Sequence, residues 1–213
     1  MTSPHPSPAR RGSLMKKLPR SFYIRPTIIV AKDLLGKYLV RKYKGKLLIG
    51  KIVEVEAYLG EKDPASHAYR GKTKRNEVMF WEGGHLYVYF TYGMHFCANV
   101  VTEEKDKGRA VLLRAVEPIE GTGTMLKNRR LNKGMGRMGE TVSLTNGPAK
   151  FCEAFAIKRE QNGTDLLSDE IYIAKNEQIT AHHIKATSRI GVTNGAAKKW
   201  RFYIEENQYV SRR

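Results

Sequence analysis

The sequence predicts an α+β fold: a single mixed domain with a curved, mostly antiparallel sheet, flanking helices and a protruding β-hairpin. Three observations carry this expectation. Strand-like runs outnumber helical ones. The helical runs do not alternate with the strands, as a doubly wound parallel sheet would require. A chain of 213 residues, 41% hydrophobic, supplies the core of one domain of ordinary size. No internal repeat is present, and no linker composition follows residue 20. Residues 1–19, MTSPHPSPARRGSLMKKLP, are rich in Pro, Ser and basic residues and are expected to form a flexible arm, leaving 20–213 as the domain.

The elements follow in order. RPTIIVAKDLLGK suggests a short helix, with Pro26 suited to its first turn and Gly36 to its exit. KYLVRKY and LLIGKIVEVEAYL run or alternate as strands, with KGK at 44–46 as the turn of a hairpin. HLYVYFTYGMHFCANVV holds two more strands about Tyr92-Gly93, and RAVLLRAVEP is a buried strand. GTMLKNRRL is helix or loop, and NKGMGRMGE at 132–140 is expected to be a basic, Gly-rich loop. Asn146 is predicted to cap a helix that starts at Pro148 and runs through AKFCEAFAI. Short strands near IYIA, SRIGV and WRFYI close the chain.

Charge narrows the function. Lys and Arg number 38 against 21 Asp and Glu, a formal net charge of +17. Nucleic acid, an acidic membrane surface or an acidic protein could each answer such an excess, and nucleic acid is the commonest reason for it in a globular chain. No apolar run approaches the roughly 20 residues that span a bilayer, and the expected partner is nucleic acid, not a membrane. The first residues carry charge without the apolar segment of a signal peptide, and the expected location is intracellular. Cys97 and Cys152 lack metal-ligand spacing and are expected to be buried thiols; the adjacent His182 and His183 are poorly placed to ligate together.

Against this basic background, EVEAYLGEKDPASHAYR concentrates Glu54, Glu56, Glu61 and Asp63 beside Tyr58, His67 and Tyr69. On a strand, Ile52, Glu54, Glu56 and Tyr58 share one face, and Val53, Val55 and Ala57 the core face. A carboxylate in a cleft built for polyanions opposes binding, which implies a chemical task or a structural salt bridge. The chemical task is either a general base acting on water or one member of a sugar hydrolase's acid–base pair. Glu54 and Glu56 stand roughly 7 Å apart along a strand, yet both approach from the same side, whereas that pair must flank the bond. In YVYFTYGMHF, Tyr87, Tyr89 and Thr91 face one way and Val88 and Phe90 the other. Tyr92, before Gly93, falls at the bend, where an exposed aromatic could serve as a wedge between base pairs.

With both segments in view, the sequence resembles the alkyladenine (3-methyladenine) DNA glycosylase family. EVEAYLGEKDPASHAYRG, RNEVMF, GHLYVYFTYGMHFCANVV, VLLRAVEP, NGPAKFC, RIGV and RFYI occur in family order from about residue 21 to residue 205. The resemblance implies a monofunctional base-excision-repair enzyme. It would flip alkylated or deaminated purines (3-methyladenine, 7-methylguanine, hypoxanthine, ethenoadenine) from double-stranded DNA and hydrolyse the N-glycosidic bond, leaving an abasic site. By position, Glu56 corresponds to the base that activates water. Arg114 matches the arginine beside it, and the Ile190 carbonyl a third contact to that water. Tyr58, His67 and Tyr89 match the residues around the flipped base, Asn99 the pocket asparagine, and Tyr92 the residue that fills the gap in the duplex.

The resemblance requires no cofactor and no metal, and a single chain suffices, so a monomer acting on chromosomal DNA in the cytoplasm is expected. Glu54 is expected to be a supporting salt-bridge partner, and Glu61 and Asp63 to solvate or cap the loop presenting His67. Lys127, Arg129 and Arg130, with Lys133 and Arg137, are candidates for DNA-backbone contact. His95 departs from the aromatic familiar in the family, and loop 132–140 resembles no family motif. The competing reading is a non-catalytic nucleic-acid-binding module that uses its aromatics for stacking, which leaves Glu56 without a task.

Overall fold

The computed structural model describes residues 15–131 and 138–211. Its elements are α1 (Arg20–Tyr23), α2 (Thr27–Leu34), β1 (Tyr38–Tyr43), β2 (Lys46–Tyr58), β3 (Leu86–Thr91), β4 (His95–Thr102), β5 (Arg109–Glu120), α3 (Thr122–Asn128), α4 (Met138–Thr145), α5 (Pro148–Ala154), β6 (Ile171–Ala174), β7 (Ile184–Thr187) and β8 (Arg201–Ile204). The strands form one open antiparallel sheet in the order β3-β4-β5-β2-β1-β6. The 13-residue β2 is the axis of the sheet. One of its edges pairs with β5; the other pairs with β1 over Lys46–Lys51 and with β8 over Glu54–Glu56, and β7 continues from β8. The predicted α+β domain is therefore present.

The two sheet faces are covered differently. On one, Val30, Ala31 and Leu34 of α2 and Phe151, Cys152 and Ala154 of α5 pack on Leu39, Leu48, Ile52, Val55, Ala57, Leu86, Val88, Val100 and Leu113. On the other, the chain between β2 and β3 folds back and buries Ala68, Val78, Met79 and Phe80 against Tyr87, Val101 and Ala110. Gly60 permits that return: its φ is +60°, and a Cβ there would lie 2.6 Å from the Lys107 carbonyl oxygen. The site lies on this second face.

Local chemistry explains most boundaries. Pro26 precedes the first turn of α2, whose Thr27 N–H and hydroxyl both donate to Glu103, at 3.0 and 2.6 Å, an acidic cap at the positive helix end. The hairpin turn at Lys44-Gly45 has positive φ at both residues, as tight β-hairpin turns favour.

Several expectations are corrected. Residues 15–19, assigned to the arm, are docked: Leu18 is buried, and Lys17 bridges to Ala174 and pairs with Asp169. Residues 1–14 lie outside the described residues, as do Lys133 and Arg137. The loop expected over 132–140 gives way to α4 at Met138. Gly147, not Asn146, occupies the N-cap of α5, and the Asn146 side chain instead accepts from Lys150 Nζ at 2.8 Å. SRIGV is not a strand; β7 ends at Thr187, and Arg189 and Ile190 turn inward.

The simple alternation in β2 also fails at one point. Register shifts around Val53 and Glu54 interrupt the pairing with β5 and place Arg114 opposite the irregularity. Ile52 therefore joins the helix-side core with Val55 and Ala57, while Val53 packs with Ala115 and Tyr209.

Candidate active site

Glu56 is wholly buried near the end of β2, and its carboxylate is fixed by two hydrogen-bond donors and an ion pair. Oε1 accepts from the Ile190 N–H at 2.8 Å and lies 3.1 Å from Arg114 Nη1; Oε2 accepts from the Tyr58 hydroxyl at 2.9 Å. Burial, and then the charge of Glu56 and the bond to it, push the Tyr58 phenol well above the ordinary tyrosine value, so it remains a donor. For Arg114, burial alone would lower the pKa; the charges of Glu56 and Glu54 outweigh it and hold the guanidinium above its ordinary value.

Glu54, two residues earlier on the strand, has a different role. It is equally buried, but accepts from Arg114 Nε at 2.8 Å, Arg201 Nε at 2.7 Å, and the Ser211 amide and hydroxyl at 2.6 and 2.9 Å. It does not border the cavity that Glu56 reaches. The two glutamates thus do not form an acid–base pair across a bond; Glu54 holds Arg114 in place, the supporting role expected of it.

Glu56 borders a cavity of about 290 Å³. Tyr58, His67, Tyr87, Tyr89, Tyr92, Asn99, Arg114 and Ile190 line it too, so every base-pocket, catalytic and wedge residue anticipated from the sequence meets at one concavity. Strand alternation explains the convergence: Tyr87 and Tyr89 on β3, Cys97 and Asn99 on β4, Leu112 and Arg114 on β5, and Glu56 and Tyr58 on β2 all face the same side. His67 reaches the rim from the covering loop, its Nδ1 3.0 Å from the Tyr87 hydroxyl and its ring edge-on to Tyr89 at 4.5 Å. Burial of the ring, and then Arg75, hold His67 below the ordinary histidine pKa, favouring a neutral imidazole. Burial pushes Tyr87 up to about 12, and burial followed by Cys97 raises Tyr89 further. Asn99 is buried and donates to the Tyr87 carbonyl at 3.1 Å, which fixes its amide.

At the hairpin tip, Tyr92 (φ +50°) and Gly93 (φ +67°) turn the chain, leaving Tyr92 86% and Met94 69% exposed. Behind the hairpin, Lys74, Arg75 and Arg159 flank a groove floored by Phe90 and Phe96. The candidate backbone contacts are not equivalent. Lys127 and Arg130 are exposed, whereas Arg129 donates to the Ser143 and Leu144 carbonyls at 2.6 and 3.1 Å and pairs with Glu153.

Two site residues were not anticipated in their actual role. Asp63, expected to solvate or cap its loop, does cap it but also forms a fully buried bidentate pair with Arg189. Arg189 lies over the Tyr58 ring at 4.5 Å. The partners are 126 residues apart, so no local spacing could reveal the pair; the only signal was Arg189's position inside RIGV.

A buried carboxylate at the floor of an aromatic cavity, in a strongly basic chain, defines a hydrolase suited to a planar ring on a polyanion. The sequence model of the methylpurine-DNA glycosylase family matches residues 21–208. The chain belongs to that family: it is a DNA glycosylase, a hydrolase of N-glycosyl bonds. Three relatives share the printed name "Putative 3-methyladenine DNA glycosylase". That of Carboxydothermus hydrogenoformans is 52% identical over 197 residues, 92% of this chain and 99% of the relative. That of Clostridium novyi is 47% identical over 205 residues (93% and 100%), and that of Desulfitobacterium hafniense 44% over 207 (92% and 99%). Among the described residues, no helix is long and apolar enough to cross a membrane.

Proposed function

We propose that the chain excises alkylated and deaminated purines, including 3-methyladenine, 7-methylguanine, hypoxanthine and ethenoadenine, from duplex DNA, acting as a monomer where chromosomal DNA lies. The observation that carries this reading is the Glu56 carboxylate, buried, oriented by two hydrogen bonds and the Arg114 ion pair, and bordering the aromatic cavity.

A base inside a duplex is out of reach, so the nucleotide is flipped outward at a cost of a few kcal/mol, less for a damaged pair. Tyr92, exposed at the hairpin tip, fills the gap and offsets part of the lost stacking. The purine enters between Tyr58 and His67, with Tyr89 at its edge. Cationic alkylated purines are held by cation–π attraction, and they leave readily because the positive charge is lost as the bond breaks. The fixed Asn99 amide contacts the base or excludes an exocyclic amino group.

Glu56 takes a proton from a water aimed at C1′, with Arg114 and the Ile190 carbonyl as the other contacts to that water. The charge of Glu56 also stabilises the oxocarbenium character that develops on the sugar. Water oxygen bonds to C1′ as the C1′–N bond breaks, and the departing base carries away the bonding pair.

Single-turnover excision of hypoxanthine from a duplex tests this reading. Glu56→Gln is expected to lower the rate by about 10²-fold or more, with duplex binding retained. Normal excision by that variant would remove Glu56 from the chemistry and favour the binding-module alternative.

A further inference from the structure

We infer that the buried Arg189–Asp63 pair is a positioning device that sets the two walls of the base cavity against Glu56 and keeps the wall behind Tyr58 electrically neutral. The inference rests on the proposed excision reaction and adds residues which that reaction does not itself use.

The geometry ties three parts of the site to one ion pair. Arg189 Nη1 and Nη2 donate to Asp63 Oδ2 and Oδ1 at 2.5 and 2.7 Å, and neither side chain reaches solvent. Asp63 also accepts from the Leu59 N–H at 3.3 Å and the Ala65 N–H at 3.2 Å, fixing the loop that carries His67 two residues later. Arg189 Nη1 donates to the Ala57 carbonyl at 3.0 Å, between Glu56 and Tyr58 in β2. The guanidinium lies over Tyr58 at 4.5 Å and over Trp200 at 5.2 Å. The next residue, Ile190, donates its N–H to Glu56. Tyr58, the His67 loop and the Glu56 carboxylate are therefore all referenced to the same side chain.

Neutrality matters because of where the cation sits. A guanidinium on the Tyr58 ring competes for the same π density that attracts a cationic purine. Asp63, bidentate on that guanidinium, cancels its charge. Removing Asp63's charge would leave an uncompensated cation at the ring that must receive methylated purines.

Asp63→Asn is the direct test, read with duplexes carrying 7-methylguanine (cationic) or hypoxanthine (neutral) under single turnover. The expected result is a lower rate for both, with the 7-methylguanine to hypoxanthine ratio falling a further 5- to 10-fold or so, within the range a cation–π contact allows. The double variant Asp63→Asn/Arg189→Met, which carries no charge there, is expected to regain the wild-type ratio while both rates stay low. An ethenoadenine duplex gives an independent optical reading: quenching of the flipped base is expected to weaken in each variant. If Asp63→Asn lowers only the melting temperature, with ratio and quenching unchanged, the pair is merely structural and the inference is overturned.

Should Asp63→Asn not fold, Arg189→Lys keeps a charge for Asp63 but loses the fork and the stacking. It is expected to lower excision of both lesions about 10-fold or more, since small misplacements are costly, while binding to a tetrahydrofuran abasic duplex stays within about 3-fold. Wild-type excision by Arg189→Lys would overturn the inference. Glu56→Gln separates the two levels: if it excises normally the reaction assignment fails, whereas if it is inactive and Asp63→Asn behaves as wild type, only the positioning role fails.

Discussion

Glu54 and Glu56 sit two residues apart on one strand face, both without solvent exposure, yet the structure gives them different surroundings. Glu56 meets the cavity, while Glu54 is closed in by Arg114, Arg201 and Ser211. The difference is measurable as stability against activity. Glu54→Gln breaks a buried ionic network from one side and leaves its arginines with less counter-charge, so it is expected to destabilise the fold by about 3–5 kcal/mol. Urea unfolding would register that loss; a change below about 1 kcal/mol would contradict the structural role. Strand alternation placed both carboxylates on one face from the sequence alone. Strand spacing alone did not separate the two, because Arg201 and Ser211 reach Glu54 from 147 and 157 residues away; only the family motif set Glu56 apart. The residues matched by family motif, from Tyr58 to Ile190, do converge, whereas Asp63 drew attention only as a loop acid.

Among the elements, β3 was legible because its period-two pattern is strong: Leu86 and Val88 enter the helix-side core, Tyr87 and Tyr89 the opposite face. The elements missed are those without such a pattern. β7 (IKAT) buries none of its residues fully and is defined by its pairing with β8, and α4 begins inside a Gly-rich stretch that argues for a loop. The aromatic face that β3 shares with β2 also sets an alkaline limit. Burial raises the phenols of Tyr58, Tyr87 and Tyr89, and of Tyr23 in α1, above their ordinary value near 10, to about 12 for Tyr87. Above that ordinary value the unfolded chain loses phenolic protons that the folded chain keeps, so the folded state binds more protons and stability falls as pH rises. The contribution is fully present below pH 10 and is lost on the way up through the folded values. The urea midpoint is expected to be level in this respect up to about pH 9 and to fall between about pH 10 and 12, with a shallower fall in Tyr87→Phe. A midpoint unchanged across that window would mean the phenols titrate freely.

For the molecule as a whole, the net charge of +17 and the burial of the Glu56 carboxylate are expected to make DNA binding and excision respond differently to salt. Each phosphate neutralised by Lys or Arg releases condensed counterions, so affinity for duplex DNA falls linearly on a logarithmic salt scale; six to ten such contacts mean a loss of about 10³–10⁵ between 50 and 200 mM salt. Single-turnover excision at saturating enzyme is expected to change little over the same range, because the buried Glu56 carboxylate is paired at short range with Arg114 and Tyr58, and buried pairs are screened much less than exposed charges. The basic residues of α3 and its exit separate binding from folding. Arg130 is exposed and borders the groove beside Met94, His95 and Phe96 at the hairpin tip, so Arg130→Ala is expected to reduce the salt slope by about one contact and leave stability unchanged. Arg129 is committed to the Ser143 and Leu144 carbonyls and Glu153, so Arg129→Ala is expected to lower the unfolding midpoint and leave the slope alone. Equal slopes for Arg130→Ala and the wild type would remove that side chain from the DNA-facing surface. A flat salt response of the wild type would remove the polyanion itself as the partner.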